Sequence, residues 1–128
     1  MVAVAAFYQI PPRVLPSIQL VEGGTIGSIH QNADGSSDFG VMQINDRWIE
    51  PIAEYARLPT DIVRRRLIWD GCFNVAAAGL ILRFYLHESQ GDLMRSIGNY
   101  HSHTTTRNLN YQALVLHSAE RLFRREKR

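Results

Sequence analysis

The stretch Asn32-Ala33-Asp34-Gly35-Ser36-Ser37-Asp38-Phe39-Gly40-Val41-Met42-Gln43-Ile44-Asn45 interrupts a chain that otherwise reads as helix. Residues 24–38 are the least helical part. Asn32, Asp34, Gly35, Ser36 and Ser37 gather turn formers, and Asp34-Gly35 is a hairpin signal because tight hairpin turns need the positive φ that Gly supplies. A loop or small irregular hairpin is predicted here, followed by a turn into residues 40–45.

Helical periodicity dominates on both sides. Residues 2–8 form an apolar helix stopped by Ile10-Pro11-Pro12. Pro12 suits the first helical position of the next segment, whose buried stripe is Val14, Leu15, Ile18 and Val21; Pro16 is tolerable because it lies near the start. Gly23-Gly24 is a stop signal, which makes Glu22 the last residue of that helix. Beyond the interruption, residues 48–56 and 60–69 read as short helices broken around Pro59, with Thr60 as N-cap. Residues 72–87 form the longest apolar segment and the central buried helix, with Cys72 a small apolar residue at its start. Asp92 caps a helix running to about Tyr100. Residues 106–125 close the chain as an amphipathic helix through Leu109, Leu114, Leu116 and Leu122, and Trp48 and Trp69 read as core anchors. The fold class is mainly α (α+β): residues 1–128 form a single helical domain with a loop or small hairpin excursion after the second helix.

Composition narrows the function classes. With 128 residues, 45% hydrophobic and 20% charged, the chain is one ordinary domain with a sizeable core, not a disordered or low-complexity segment. Its single cysteine forms no disulfide within the chain. The net charge of +2 is smaller than the excess at the end, where Arg121, Arg124, Arg125, Lys127 and Arg128 face only Glu120 and Glu126. The body is therefore slightly acidic, and residues 120–128 are a basic helix end or tail. A nucleic-acid binder would carry its cations along a face of the body, so no nucleic acid is expected. The longest apolar run, 75–82, is too short to span a membrane. Residues 2–8 lack a basic start and a small-residue cleavage site, so no signal peptide is visible. His101-Ser102-His103, with His30 or Cys72, lacks a second paired ligand motif, so neither a metal nor another cofactor is predicted. No G-x-S-x-G elbow supports a serine hydrolase. Nothing indicates an oligomer, and a monomer is the default.

The chemical candidate is Glu22. A carboxyl at a helix C-terminus faces the negative end of the helix dipole, which favours the protonated form by less than one pKa unit (about 0.3–1 kcal/mol). Burial would have to supply the rest of the tuning for a general acid; otherwise Glu22 is a solvent-facing residue that ends a helix.

Residues 32–45 resemble the D-G-S-T-D-Y-G-x-x-Q-I-N segment of animal-type lysozymes, and Gly40-Val41-Met42-Gln43 resembles the G-L-M-Q motif of lytic transglycosylases. Two later pieces favour the second family: Asn74-Val75-Ala76-Ala77-Ala78-Gly79-Leu80-Ile81-Leu82 resembles its Asn- and Gly-bearing helix, and Asn99-Tyr100-His101-Ser102 stands where A-Y-N is usual. Tyr-His-Ser resembles the variant in members attached to type IV secretion, conjugation and pilus machines. The resemblance runs from about residue 11 to 103. Gly23 replaces the usual Ser after the catalytic Glu, and His101 the usual Asn after the Tyr.

The resemblance implies a lysozyme-like fold and cleavage of the β-1,4 bond between N-acetylmuramic acid and N-acetylglucosamine in peptidoglycan, with a 1,6-anhydro product. Glu22 would be acid and then base, while Gln43, Asn45, Tyr100, His101 and Met42 would line the cleft. The bland alternatives are local backbone bonding for Gln43 and Asn45, and packing for Met42 and Tyr100. Asp38 is either a turn residue or a second carboxylate, and in the latter role it implies a muramidase that hydrolyses with Glu22. A third reading is a catalytically weak peptidoglycan-binding assembly protein. The partners implied are peptidoglycan glycan strands and components of a secretion or conjugation complex, and the substrate implies a periplasmic location.

Overall fold

The computed structural model describes residues 1–124. The chain is mainly α with a small antiparallel sheet. The helices are α1 (Val2–Phe7), α2 (Val14–Glu22), α3 (Ile49–Ala56), α4 (Thr60–Trp69), α5 (Gly71–Glu88), α6 (Leu93–His101) and α7 (Thr105–Phe123). Between α2 and α3 lie β1 (Ile29–Gln31), β2 (Ser37–Phe39) and β3 (Ile44–Asn45), in sheet order β1-β2-β3, and a short 3-10 turn at Asp46–Trp48. The expected hairpin after the second helix is thus present, with Ile29 opposite Phe39 and Asp38 opposite Asn45. Its turn closes on an Asx motif: the Ser36 hydroxyl (2.6 Å) and N–H (2.9 Å) donate to Asp34 Oδ1 and hold that carboxyl below its ordinary range. Gly35 supplies the positive φ of +88°.

The chain divides into two compact units. The first comprises Met1–Val21 and the chain from Gly79 onward. Its core holds Leu15, Ile18, Ile81, Leu82, Tyr85, Ile97, Tyr111 and Val115. Gly79 admits α1: a Cβ there would stand 2.5 Å from Val4 and 2.8 Å from Tyr8. Arg83 donates to the Tyr8 carbonyl at 3.1 Å, and Ser118 on α7 donates to the Ser17 carbonyl on α2 at 2.7 Å. Helix α6 begins as predicted, with the Asp92 carboxylate accepting the Arg95 N–H at 3.0 Å.

The second unit, Glu22–Ala78, packs Phe39, Met42, Ile44, Ile52, Val63, Leu67 and Ala77. At its centre Asn74 is 1% exposed. Its Oδ1 accepts the Met42 N–H, and its Nδ2 donates to the Phe39 and Leu67 carbonyls, all at 2.8 Å. One side chain thereby ties the start of α5 to the end of α4 and to residues 39–42. Asp70 caps α5 by accepting the Phe73 N–H at 3.0 Å.

Several expectations are corrected. Helix α2 starts at Val14, because a turn closed by the Val14 N–H on the Pro11 carbonyl occupies Pro12 and Arg13. Thr60 is the first helical residue and not the cap; Pro59, its ring fixing φ at −62° and its ψ extended at 147°, is the capping residue and makes no side-chain bond. Cys72 is exposed, since the buried face of α5 begins at Asn74. Trp69 is exposed because α4 buries Val63, Leu67 and Ile68, and the next residue is carried about 100° further round. Leu109, Leu114, Leu116 and Leu122 are all exposed. Helix α7 instead buries Asn108, Tyr111, Val115 and Ser118, a face whose polar members hydrogen-bond inward. Through residue 123 the basic end is helix; residues 125–128 lie outside those described. Among the described residues no single helix is long and apolar enough to cross a membrane.

Replacing Asn74 with Ala removes three buried hydrogen bonds, at about 1–3 kcal/mol each before relaxation. We expect Asn74→Ala to lose about 3 kcal/mol or more in urea unfolding, against under about 0.5 kcal/mol for exposed Asn110→Ala. The Asp70 carboxyl is held below its ordinary value of 3.8, first by the Phe73 N–H and then by Arg66, with desolvation opposing. Its charged form therefore stabilises the fold fully above pH 3.8, and the contribution is lost as pH falls through the lower folded value. Asp70→Ala should destabilise by about 1 kcal/mol at pH 7, with the difference from wild type shrinking as pH falls below 3.8.

Candidate active site

Glu22 is half-buried and is the last residue of α2. The helix stops there because Gly23 takes φ +65°, a left-handed conformation that costs a side-chain-bearing residue about 1–2 kcal/mol. A Cβ at Gly23 would meet nothing within 4 Å, so backbone conformation and not crowding favours glycine at the position where the resembled family has Ser. Gly24 is buried, and crowding does decide there. Its Cα lies so close to the Gly40 and Val41 carbonyls and to Gln43 Nε2 that any Cβ would collide. The loop leaving Glu22 is therefore seated directly on residues 40–43.

That segment is itself strained. Gly40 (φ +70°) and Gln43 (φ +53°) are both left-handed, and the Gln43 N–H closes the turn on the Gly40 carbonyl at 3.1 Å. For Gln this conformation is uncommon, and it persists because the side chain is also fixed. Gln43 Nε2 donates to the Gly40 carbonyl at 3.0 Å and to Ser28 Oγ at 3.2 Å. Ser28 Oγ in turn accepts the Thr25 N–H and reaches the Gly40 carbonyl at 3.4 Å. Glu22, through its loop, and Gln43 thus belong to one assembly. Met42 beside them is wholly buried and offers no surface to a ligand; it packs the core, the second of its two readings.

Asp38 and Asn45 form a separate cluster across β2 and β3. Asn45 Nδ2 donates to Asp38 Oδ1 at 2.9 Å and to Ser36 Oγ at 3.1 Å, while its Oδ1 accepts the Arg47 N–H at 3.1 Å. The amide of Asn45 organises the sheet end and the following 3-10 turn. Asp38 is half-buried, with one carboxylate oxygen held by an amide.

Tyr100 and His101 belong to the other unit. Tyr100 is half-buried on α6. The exposed His101 ring stacks on Tyr111 of α7, with centroids 4.9 Å apart and planes 8° apart. Nearby, Glu88 Oε1 is 2.7 Å from His103 Nε2 and accepts from Asn99 at 3.3 Å. Asn99 is linked onward to Asn108 and Gln112. Among the described residues no group of three or more His, Cys, Asp or Glu side chains could hold a metal ion.

Ser28 and Ser36 were not singled out from sequence as site residues. Ser28 and Ser36 carry no periodicity signal, and their partners lie up to fifteen residues away. No family model matches the chain, and no curated protein matches it in sequence.

Gln43→Gly removes the left-handed strain together with two side-chain bonds, effects of opposite sign and similar size. Its unfolding free energy should stay within about 1 kcal/mol of wild type. Gln43→Val, β-branched at a positive φ, should lose about 2 kcal/mol or more. Urea denaturation of the two variants side by side checks the assignment.

Proposed function

We propose that the chain is a lysozyme-like peptidoglycan lytic transglycosylase with Glu22 as its catalytic acid and base. The observation that carries this reading is the seating of the Glu22-Gly23-Gly24 loop on the strained Gly40–Gln43 turn. The two sequence pieces that resemble the family motifs, eighteen residues apart, are packed against each other, and a non-glycine residue is kept left-handed where its amide is fixed. Strain held in this way is typical of sites where geometry is maintained for function.

In the proposed reaction the Glu22 carboxylic acid protonates the glycosidic oxygen as the bond from the muramic acid C1 breaks, because a sugar alkoxide is a poor leaving group. The carboxylate then takes the proton from the muramic acid 6-hydroxyl as O6 bonds to C1. Glu22 ends protonated, as it began, and no water is consumed. Gln43 is proposed to orient an N-acetyl or hydroxyl group from the turn it anchors, with Asn45 setting the neighbouring strand; Tyr100 and His101 are proposed as glycan-binding residues of the first unit. The engagement of Asp38 Oδ1 by Asn45 favours an organising role for that carboxylate over a nucleophilic one. The proposed setting is the periplasm, with local opening of the wall for a secretion, conjugation or pilus apparatus.

Mass spectrometry of fragments released from purified peptidoglycan tests the reading. Products one water lighter than ordinary reducing muropeptides are expected; reducing ends would replace it with a muramidase that uses Asp38. Glu22→Gln should lower release at least a thousandfold, and Asp38→Asn less than tenfold. Glu22→Gln with unchanged release would remove Glu22 from the mechanism. Pelleting with the wall without any release would leave a peptidoglycan-binding protein.

A further inference from the structure

Trp69 ends α4 with 65% of its surface exposed. Indole is the largest apolar side chain, and apolar surface left in water forgoes about 25 cal/mol per Å². Nevertheless the ring is firmly backed. The Gly27 N–H donates to the Ile68 carbonyl at 2.7 Å, which joins the 25–28 turn to the last turn of α4. Gly27 has φ +89°, and a Cβ there would stand 2.8 Å from Trp69 Cζ3 and 3.2 Å from Cη2. Only glycine lets the backbone come this close to the ring, which is supported on one side and open to solvent elsewhere.

The surroundings place this ring in line with the candidate site. Ile26, 60% exposed, is about 3.2 Å from where a Gly71 Cβ would be, and half-buried Val41 approaches the same point at 3.9 Å. An apolar strip therefore runs from Trp69 past Gly27 and Ile26 to Val41, inside the turn on which Gly24 is seated. Beyond the ring the surface becomes polar: Arg66 pairs with Asp70 at 3.2 Å and covers Phe73 at 4.4 Å from its ring centroid. A flat aromatic face with a short apolar approach and a charged border matches a pyranose, which has an apolar C–H face and a polar rim.

We infer that Trp69 is a stacking platform for a sugar ring of the glycan strand and extends the Glu22 site along the second unit. This rests on the proposed function and adds to it a glycan-binding residue outside the motifs that suggested that function. Gly27 is its positioning residue and acts only by holding the indole.

The test uses the full chain carrying Glu22→Gln and Trp48→Phe, so that Trp69 alone reports, titrated with the β-1,4 tetrasaccharide of N-acetylglucosamine. A saturable blue shift of the Trp69 emission is expected. Trp69→Ala in a Glu22→Gln chain that retains Trp48 should weaken tetrasaccharide binding at least fivefold by calorimetry, with Trp69→Phe recovering part of the loss. Gly27→Ala should weaken it although the indole is present. Unfolding midpoints of the Trp69 variants should match their parent, since the ring is exposed. In otherwise wild-type protein, Trp69→Ala should raise the wall concentration needed for half-maximal release more than it lowers the maximal rate. If wild type releases anhydro products while Trp69→Ala equals it in binding and release, the platform is overturned and the proposed reaction stands. If wild type neither releases fragments nor binds the tetrasaccharide, the proposed function fails and the platform with it.

Discussion

Asn74 is the residue on which the second unit depends. It is buried at the start of an apolar helix, a place where an amide is costly unless every group on it is satisfied. Its three hydrogen bonds answer that cost and use it. They engage backbone groups at the end of α4 and in residues 39–42. Residues 40–43 cannot adopt a regular conformation, since two of them are left-handed, so their orphan groups need partners from elsewhere. Asn74 provides this from below, and Ser28 and the Gln43 amide from the side. The turn is thereby over-determined, and a strained turn survives only under that condition.

Glu22 depends on this arrangement at one remove. The carboxyl is placed by a helix end, the helix end by Gly23, and the loop beyond it by the contact of Gly24 with the Gly40 and Val41 carbonyls. Each of these steps is backbone geometry. Rigid backbone support suits a group proposed to hand a proton out and take one back at a fixed position. Asp38, by contrast, lies in a register-paired strand with its oxygen held by Asn45.

The order and type of the main elements were readable from the chain because their signals are local. Glycine pairs, prolines and turn clusters punctuate it wherever the backbone must leave the helical region, and Asp34-Gly35, Gly23-Gly24 and Asp92 each did in the structure what such residues do in short peptides. Reading burial from residue type failed where a helix is buried through polar groups. On α7 the leucines are outside and Asn108 and Ser118 inside, because those two find partners on α6 and α2. Trp69 was misread for the related reason that hydrophobicity states a preference for burial and not a direction, and α4 had already used its inward face for smaller residues.

The candidate site divides along the same line. Glu22 at a helix end, a hairpin after it and a Gly-rich turn carrying Gln43 are properties of the sequence, since each follows from the φ angles its residues can take. Which groups meet there was decided by the tertiary structure alone. The Gly24 seat, the Ser28–Gln43 bond, the Asn74 clamp and the Trp69–Gly27 contact join residues from seven to forty-two positions apart. Such pairings depend on close packing and on satisfying particular buried donors and acceptors, and local propensity carries no information about either.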